Sequence, residues 1–193
     1  MILITVGTEK FPFNRLMQWI ENLVEQGFIQ VEKEKVIVQY GSCTILPHGA
    51  KNYSILPEIE FKTLVQQARL IIAHCGEGTV DLLSEIKTPF ILVPRSHRFG
   101  EHVDDHQIEL AESLAELGLP IAYSPGDLVR FLASPERVQL VASPSNYYTK
   151  ACPLLNEFIL QNQRDNMPIF ALNNIFARLA SFFKVFFWNT VNT

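Results

Sequence analysis

Short hydrophobic runs alternate with amphipathic stretches along the first two thirds of the chain. The runs that are short and aliphatic enough to be buried strands cover 1–6, 36–40, 70–73, 90–93 and 121–123, and a further extended stretch covers 52–56. Apolar residues recur at three- and four-residue spacing, which predicts helices, over 12–26, 58–68, 80–86, 104–117 and 127–133. Repeated strand–helix units of this kind are typical of a parallel sheet with helices on both faces.

We therefore predict an α/β chain with a single Rossmann-like parallel sheet in residues 1–160, followed by a C-terminal tail over 161–193. Residues 134–146 have the composition of a linker. Within the tail, large apolar residues between 169 and 187 fall on one arc of a helix, which predicts an amphipathic helix. That helix could pack on its own domain, on a partner or in a membrane interface, and Arg178 and Lys184 argue against a transmembrane span.

Composition and charge narrow the class of protein. Of the 193 residues, 48% are hydrophobic and 19% are charged, which favours a folded globular chain over a disordered one. The net charge of −4 gives no broad positive field, so nucleic acid is not an expected partner. Cys43, Cys75 and Cys152 form neither a disulfide framework nor a zinc motif. The first residues lack the features of a signal peptide, and we expect the chain to stay on the cytoplasmic side.

The strand at 70–73 runs directly into the segment HCGEGT at 74–79. Ligands of an open parallel sheet bind beyond the carboxyl ends of its strands. Gly76 and Gly78 let the backbone approach a ligand, the following helix offers free N–H groups to a phosphate, and Thr79 adds a hydroxyl. Alternatively, the glycines only shape a turn and His74 fills a pocket beside it. The segment lacks the complete dinucleotide-binding and P-loop patterns, which disfavours a nicotinamide cofactor or ATP.

A second polar cluster follows the strand at 90–93. It comprises Arg95, His97, Arg98, Glu101, His102, Asp104, Asp105, His106 and Gln107. Carboxylates and an amide can bind several hydroxyls at once, as a sugar or ribose requires, and Arg95 or Arg98 could meet phosphate charge. The i, i+4 spacing of His102 and His106 would suit a metal, although further ligands are not evident. The acidic residues could also simply cap the next helix.

Five segments, in this order and at this spacing, resemble a known family. They are MILITVGT at 1–8, VQYG at 38–41, HCGEGT at 74–79, PR at 94–95 and EHVDDHQIELA at 101–111. Together they resemble the glycosyltransferase family 28 C-terminal domain, as in MurG-like enzymes and in the donor-binding subunit of the dolichol-linked N-acetylglucosaminyltransferase. The small PssE-type subunits of exopolysaccharide synthesis are the most similar members.

The resemblance implies half of a GT-B fold, a UDP-sugar donor and no metal or other cofactor. It implies that Gly7 and Thr8 line the cleft, with His74 at the base of the glycine loop. The residues expected at the diphosphate are Gly76, Gly78 and Thr79. Those expected at donor hydroxyls are Glu101, His102, Asp105, His106 and Gln107, of which Gln107 is expected to bind the sugar.

The family resemblance also implies a reaction and a partner. We expect a UDP-sugar-dependent hexosyltransferase subunit that binds the donor and acts on a lipid-linked acceptor at the cytoplasmic face of the membrane. A membrane-anchored subunit would bind that acceptor. One departure matters: many relatives hold the ribose with a glutamate where this chain has Leu82. A non-catalytic or regulatory subunit that keeps the fold is therefore an alternative, and so is another enzyme, such as a sugar epimerase.

Overall fold

The computed structural model describes residues 1–133, in which five parallel strands form one sheet in the order β3-β2-β1-β4-β5. The strands are β1 (Ile2–Thr5), β2 (Val36–Gln39), β3 (Lys51–Tyr53), β4 (Leu70–His74) and β5 (Phe90–Val93). The helices are α1 (Asn14–Glu25), α2 (Glu58–Gln67), α3 (Glu77–Ser84), α4 (His106–Glu116) and α5 (Pro125–Ala133), with a short 3-10 helix over His97–Phe99.

Helices cover both faces of the sheet because successive strand residues point to opposite sides. In β1, Ile2 and Ile4 pack with the apolar residues of α1 and α5, whereas Leu3 packs with those of α2, α3 and α4. All three strand residues are fully buried. The predicted α/β class, a Rossmann-like parallel sheet consistent with half of a GT-B fold, is thereby confirmed.

The strand register brings three loops to one edge of the sheet. Thr5, the last residue of β1, is paired with Ala73 of β4, and His74 is paired with Val93 at the end of β5. The chain segments that follow these strands therefore leave the same edge side by side. They include both polar segments that the sequence analysis identified as candidate sites.

The predicted strand over 121–123 is reduced to a single bridge between Ile121 and Leu92. Pro120 has no N–H to donate, and the chain leaves the sheet at once because the Asp127 carboxylate accepts hydrogen bonds from the backbone of Tyr123 and Ser124. The sequence analysis therefore made this element too long.

Helix α3 begins three residues earlier than the predicted start at residue 80. Gly76 has an extended backbone, φ −90° and ψ 145°, and is the N-cap. Gly78 and Thr79 are therefore part of the first helical turn instead of a loop that precedes it. The prediction placed them in the loop because a glycine pair resembles a turn in sequence.

The predicted linker at 134–146, the domain boundary at 160 and the amphipathic tail helix lie outside the described residues. Within residues 1–133, no helix is both long enough and apolar enough to cross a bilayer.

Candidate functional site

A cleft of about 490 Å³ opens at the carboxyl edge of the sheet. Of the residues that the sequence predicted for the site, those that line it are Gly7, Thr8, His74, Gly76, Gly78, Thr79, His102, His106 and Gln107. Arg95, Glu101 and Asp105 are not among the lining residues, and their side chains are engaged elsewhere, as described below.

Sequence reasoning missed several residues of the same cleft. They are Thr5, Glu9, Gln39, Leu56, Glu58, Phe61, Cys75, Glu77 and Leu110. Thr5 and Gln39 are the last residues of β1 and β2, so their strand-end position was a usable signal. Leu56, Phe61 and Leu110 had no such signal, because an apolar residue that faces a cleft looks like a core residue in sequence.

The loop after β1 is fixed by a closed set of hydrogen bonds. The Thr5 hydroxyl donates to Oε1 of Gln39, Nε2 of Gln39 donates to the Gly7 carbonyl at 3.3 Å, and the Gly7 N–H donates to Thr5 Oγ1 at 3.3 Å. Gly7 has φ +74°, which a residue with a Cβ adopts only under strain. The backbone at the entrance to the cleft is therefore held in one conformation.

The imidazole of His74 lies between two glycines. A Cβ on Gly7 would come within 2.5 Å of His74 Cε1, and a Cβ on Gly76 would come within 2.6 Å of His74 Nε2. A Cβ on Gly78 would meet nothing within 4 Å. Two of the glycines therefore make room for a histidine, and only Gly78 leaves open space toward the cleft.

His74 is neutral in the folded protein. Its side chain is buried, and Nδ1 has no hydrogen-bond partner among residues 1–133. Burial, together with the positive charge of Arg95, lowers the pKa of His74 to about 3. The imidazole can offer a hydrogen bond but no positive charge to an anion at neutral pH.

The start of α3 carries unused backbone donors. Its N-cap Gly76 provides no side-chain hydrogen bond to the first turn. The N–H groups of Glu77 and Gly78, which line the cleft, are therefore left without a partner among residues 1–133, whereas the Thr79 N–H donates to the Gly76 carbonyl at 3.0 Å. N–H groups at a helix start, together with the positive end of the helix dipole, favour anions. The neighbouring thiol of Cys75 is inert, since burial raises its pKa to about 12.

Arg95 is fully buried, and its guanidinium connects loops instead of meeting a ligand. It donates to the carbonyl oxygens of Val6 at 2.6 Å, Phe11 at 2.7 Å and Glu101 at 3.0 Å. The guanidinium also stacks on the ring of Phe13, 4.9 Å from its centroid. In this structure the predicted phosphate contact of Arg95 is therefore not available, because the chain's own carbonyls occupy the guanidinium.

Glu101 is likewise buried in an ion pair. Its two carboxylate oxygens accept hydrogen bonds from Nε and Nη2 of Arg15, at 2.9 and 2.8 Å, and one also accepts from the Ser96 N–H. Asp105 accepts from the Ser96 hydroxyl and from the His97 N–H. Both carboxylates shape the loop between β5 and α4, and neither points into the cleft as a ligand for donor hydroxyls.

One carboxylate oxygen of Asp104 joins two histidines of the cleft. It lies 2.9 Å from Nδ1 of His102 and 2.8 Å from Nδ1 of His106, and the two rings are 5.4 Å apart in an edge-to-face arrangement. Burial acts to raise the pKa of Asp104, but the hydrogen bonds from His102 and His106 outweigh it and lower the pKa overall. No group of three metal-ligating side chains with metal-site geometry occurs in residues 1–133.

Gln107, in the first turn of α4, lies at the inner wall of the cleft and is only 4% exposed. Its Oε1 accepts a hydrogen bond from the Arg95 N–H at 3.2 Å. That bond fixes the orientation of the amide: Oε1 accepts from Arg95, and the Nε2 group is left as a hydrogen-bond donor. Gln107 is thus positioned by the same residue that connects the loops.

Together, the sheet and cleft define a Rossmann-like α/β domain with a polar ligand site at its carboxyl edge, where an uncapped helix start meets two histidines and an amide. The chain belongs to the glycosyltransferase family 28 C-terminal domain family, whose model matches residues 1–137. The family resemblance stated from the five segments is thereby confirmed.

A curated relative is UDP-N-acetylglucosamine–N-acetylmuramyl-(pentapeptide) pyrophosphoryl-undecaprenol N-acetylglucosamine transferase from Gloeothece citriformis. It is 33% identical to this chain over 95 residues, which are 49% of this chain and 25% of the relative. The chain therefore matches only about a quarter of the length of that transferase.

The contact between His74 and Gly76 predicts a strong coupling between the two positions. Gly76→Ala should destabilise the fold by about 1–3 kcal/mol, because the added methyl overlaps the imidazole. In a His74→Ala background the same change should cost much less, and urea unfolding of the four proteins of this double-mutant cycle measures the difference. Gly78→Ala is the matched control and should cost nothing. Equal costs of Gly76→Ala in both backgrounds would contradict the contact.

Burial of neutral His74 predicts an acid-sensitive fold. The unfolded state takes up a proton near pH 6.5, whereas the folded state does so only near pH 3, so the folded state loses stability as pH falls through that window. The free energy of unfolding should fall by up to about 1.4 kcal/mol per pH unit more steeply in the wild type than in His74→Phe, which cannot titrate. Parallel pH profiles for the two proteins would refute a neutral His74.

Proposed function

We propose that this chain is the donor-binding part of a two-part glycosyltransferase, which moves a hexose from a UDP-sugar to a lipid-linked acceptor in polysaccharide or glycolipid synthesis. Family membership supports the reaction class, and the observation that carries the donor role is the cleft at the carboxyl edge of the sheet. The name of the curated relative includes a UDP-sugar and a polyprenyl-linked sugar, which supports the same pair of substrates.

The diphosphate of the donor would lie at the start of α3. The unused N–H groups of the first turn and the open space at Gly78 suit a phosphate that approaches the backbone closely. Thr8 and Thr79 bring hydroxyls to the same cleft. The chemistry needed from this half is to hold the diphosphate and to stabilise the charge that develops on it as the sugar leaves.

The sugar and the nucleoside of the donor would lie on either side of the diphosphate. Gln107 presents an oriented amide for sugar hydroxyls, whereas Leu56, Phe61 and Leu110 provide an apolar surface for a ring. Glu9 and Glu58 are additional carboxylates that could accept hydrogen bonds from hydroxyls.

Leu82 favours one alternative, a subunit that keeps the fold without turnover. Its side chain is packed beside the core cluster of α2, α3 and α4, and residue 82 does not line the cleft. Leu82 therefore offers no contact to a ribose in the cleft. Glu77, the first residue of the same helix, does line the cleft and is the carboxylate that we assign to the ribose in its place.

A second subunit would complete the active site. Residues 1–133 supply one sheet and one row of loops, and a donor bound there needs a further wall to exclude water and to position an acceptor. We propose a membrane-anchored acceptor-binding subunit, with this chain peripheral on the cytoplasmic face. Bilayer or partner contact through residues 168–188 belongs to the same proposal and lies outside the described residues.

Calorimetric titration tests the donor site directly. The chain, alone or with its co-expressed partner, should bind UDP and UDP-N-acetylglucosamine and should bind ADP at least about tenfold more weakly, because the site is assigned to a uracil nucleotide. Transfer of radiolabelled sugar to a polyprenyl-linked acceptor should require both subunits. If no uracil nucleotide binds even when the partner is present, the proposal is wrong. Binding without transfer would favour the non-catalytic alternative.

The assignment of the amide predicts a selective loss. Gln107→Ala should weaken binding of UDP-sugar by about three- to tenfold, because one or two hydrogen bonds to the sugar are removed, and it should leave binding of UDP nearly unchanged. Calorimetry with both ligands gives the ratio. Gln67→Ala, at the far end of α2, is the matched control. An equal loss for UDP and UDP-sugar would contradict a sugar-facing role.

A further inference from the structure

The part of the chain that the structure describes gives the cleft no lysine or arginine, although Glu9, Glu58 and Glu77 line it. Arg95 is enclosed by carbonyl groups, and His74 is held neutral by burial. A diphosphate ester carries a negative charge on each phosphate, so the helix start alone would have to offset both against an acidic surrounding.

Among the described residues, His102 and His106 are the basic side chains that line this cleft besides His74, and imidazole is the side-chain group that ordinarily changes charge near neutral pH. Both direct Nδ1 to the same oxygen of Asp104, so in each ring Nε2 is the nitrogen left for a ligand. They come from the loop that leaves β5 and from the first turn of α4, and they line the same cleft as the start of α3. A diphosphate at α3 would therefore share this cleft with two imidazoles.

We propose that His102 and His106, held by Asp104, form a protonatable diphosphate-binding pair, so that donor binding takes up a proton from solvent. The inference rests on the proposed donor site and assigns the pair to the diphosphate instead of the sugar hydroxyls. Since binding and protonation are linked, donor affinity falls as pH rises through the range in which histidine loses its charge.

The surroundings of the pair are predominantly acidic. The charged and titratable groups that face it from the packed elements are Glu9 and Lys10 after β1, Glu58 of α2, Glu77 of α3, His74 of β4 and Asp105 beside it on its own loop. Lys10 lies over the ring of Phe11, which in turn lies 6.3 Å from the ring of His102. Carboxylates outnumber cations here, so a diphosphate in this cleft needs positive charge from the two imidazoles.

The probe for the test is the methyl ester of the terminal phosphate of UDP. Both of its phosphates are esterified, so the ligand itself does not titrate in the range of histidine, and it has no sugar whose identity matters. Calorimetry at several pH values, each in two phosphate-free buffers of different ionisation enthalpy, gives both the affinity and the number of protons taken up per ligand bound.

The wild-type chain should take up about half a proton or more per ligand near neutral pH and should bind at least about fivefold more weakly at about pH 8 than at about pH 6. The double variant His102→Gln/His106→Gln should bind with no proton uptake and a flat pH profile, at an affinity no higher than that of the wild type at about pH 8. His97→Gln, an exposed histidine of the same loop that does not line the cleft, should behave like the wild type.

A single substitution tests the same proposal in case the double variant fails to fold. His106 is half exposed, so His106→Arg should fold normally, and its fixed charge should keep the affinity at about pH 6 while reducing the pH dependence. Binding of the probe without proton uptake in the wild type, or proton uptake that persists in the double variant, would overturn this inference and leave the donor site standing. Failure of the probe to bind at every pH would count against the donor site as well.

Discussion

The buried guanidinium of Arg95 holds together two loops on which the site depends, the loop between β1 and α1 and the loop between β5 and α4. Its Nη1 and Nη2 atoms donate to the carbonyl groups of Val6 and Phe11 in the first loop and of Glu101 in the second. A charge with so little access to water is tolerable only when its partners stay in place, so the loops cannot move apart without a large loss of free energy. The ion pair of Arg15 with Glu101 extends the same network toward the surface.

This use of arginine explains the electrostatics of the cleft. An arginine at the end of β5 is close enough to the cleft to depress the pKa of His74, yet it offers no hydrogen bond there. The arginine therefore provides order and a weak positive field, while in our proposal the hydrogen bonds to a ligand come from the backbone of α3, from Gln107 and from the two histidines. Such a separation between residues that fix the loops and residues that face the ligand is typical of preorganised sites. In these sites a rigid outer network holds groups that are polar but not strongly charged.

Most of the fold could be predicted from sequence, because buried strands such as 70–73 and amphipathic helices such as α1 have periods that depend only on local geometry. The position of the site was predicted correctly from the sequence, but the roles of several of its residues were not. Strand-end polar residues identified His102, His106 and Gln107, but whether Arg95 or Glu101 faces a ligand or a carbonyl depends on contacts across more than eighty residues, to Val6 and Arg15. The start of α3 was misplaced for a local reason, since a pair of glycines resembles a turn in sequence although Gly76 is the N-cap of the helix.

The close packing of His74 against Gly7 and Gly76 ties three separated positions into one steric unit. A glycine in a strand-end loop is commonly taken as a mark of ligand approach, but here two such glycines are required by a side chain of the protein itself. Substitutions at these positions are therefore interdependent: a larger residue at either glycine becomes acceptable only once the ring has been replaced by something smaller. Any redesign of the cleft would therefore have to consider the three positions together, and at Gly7 the positive φ would still disfavour a side chain after the ring was removed.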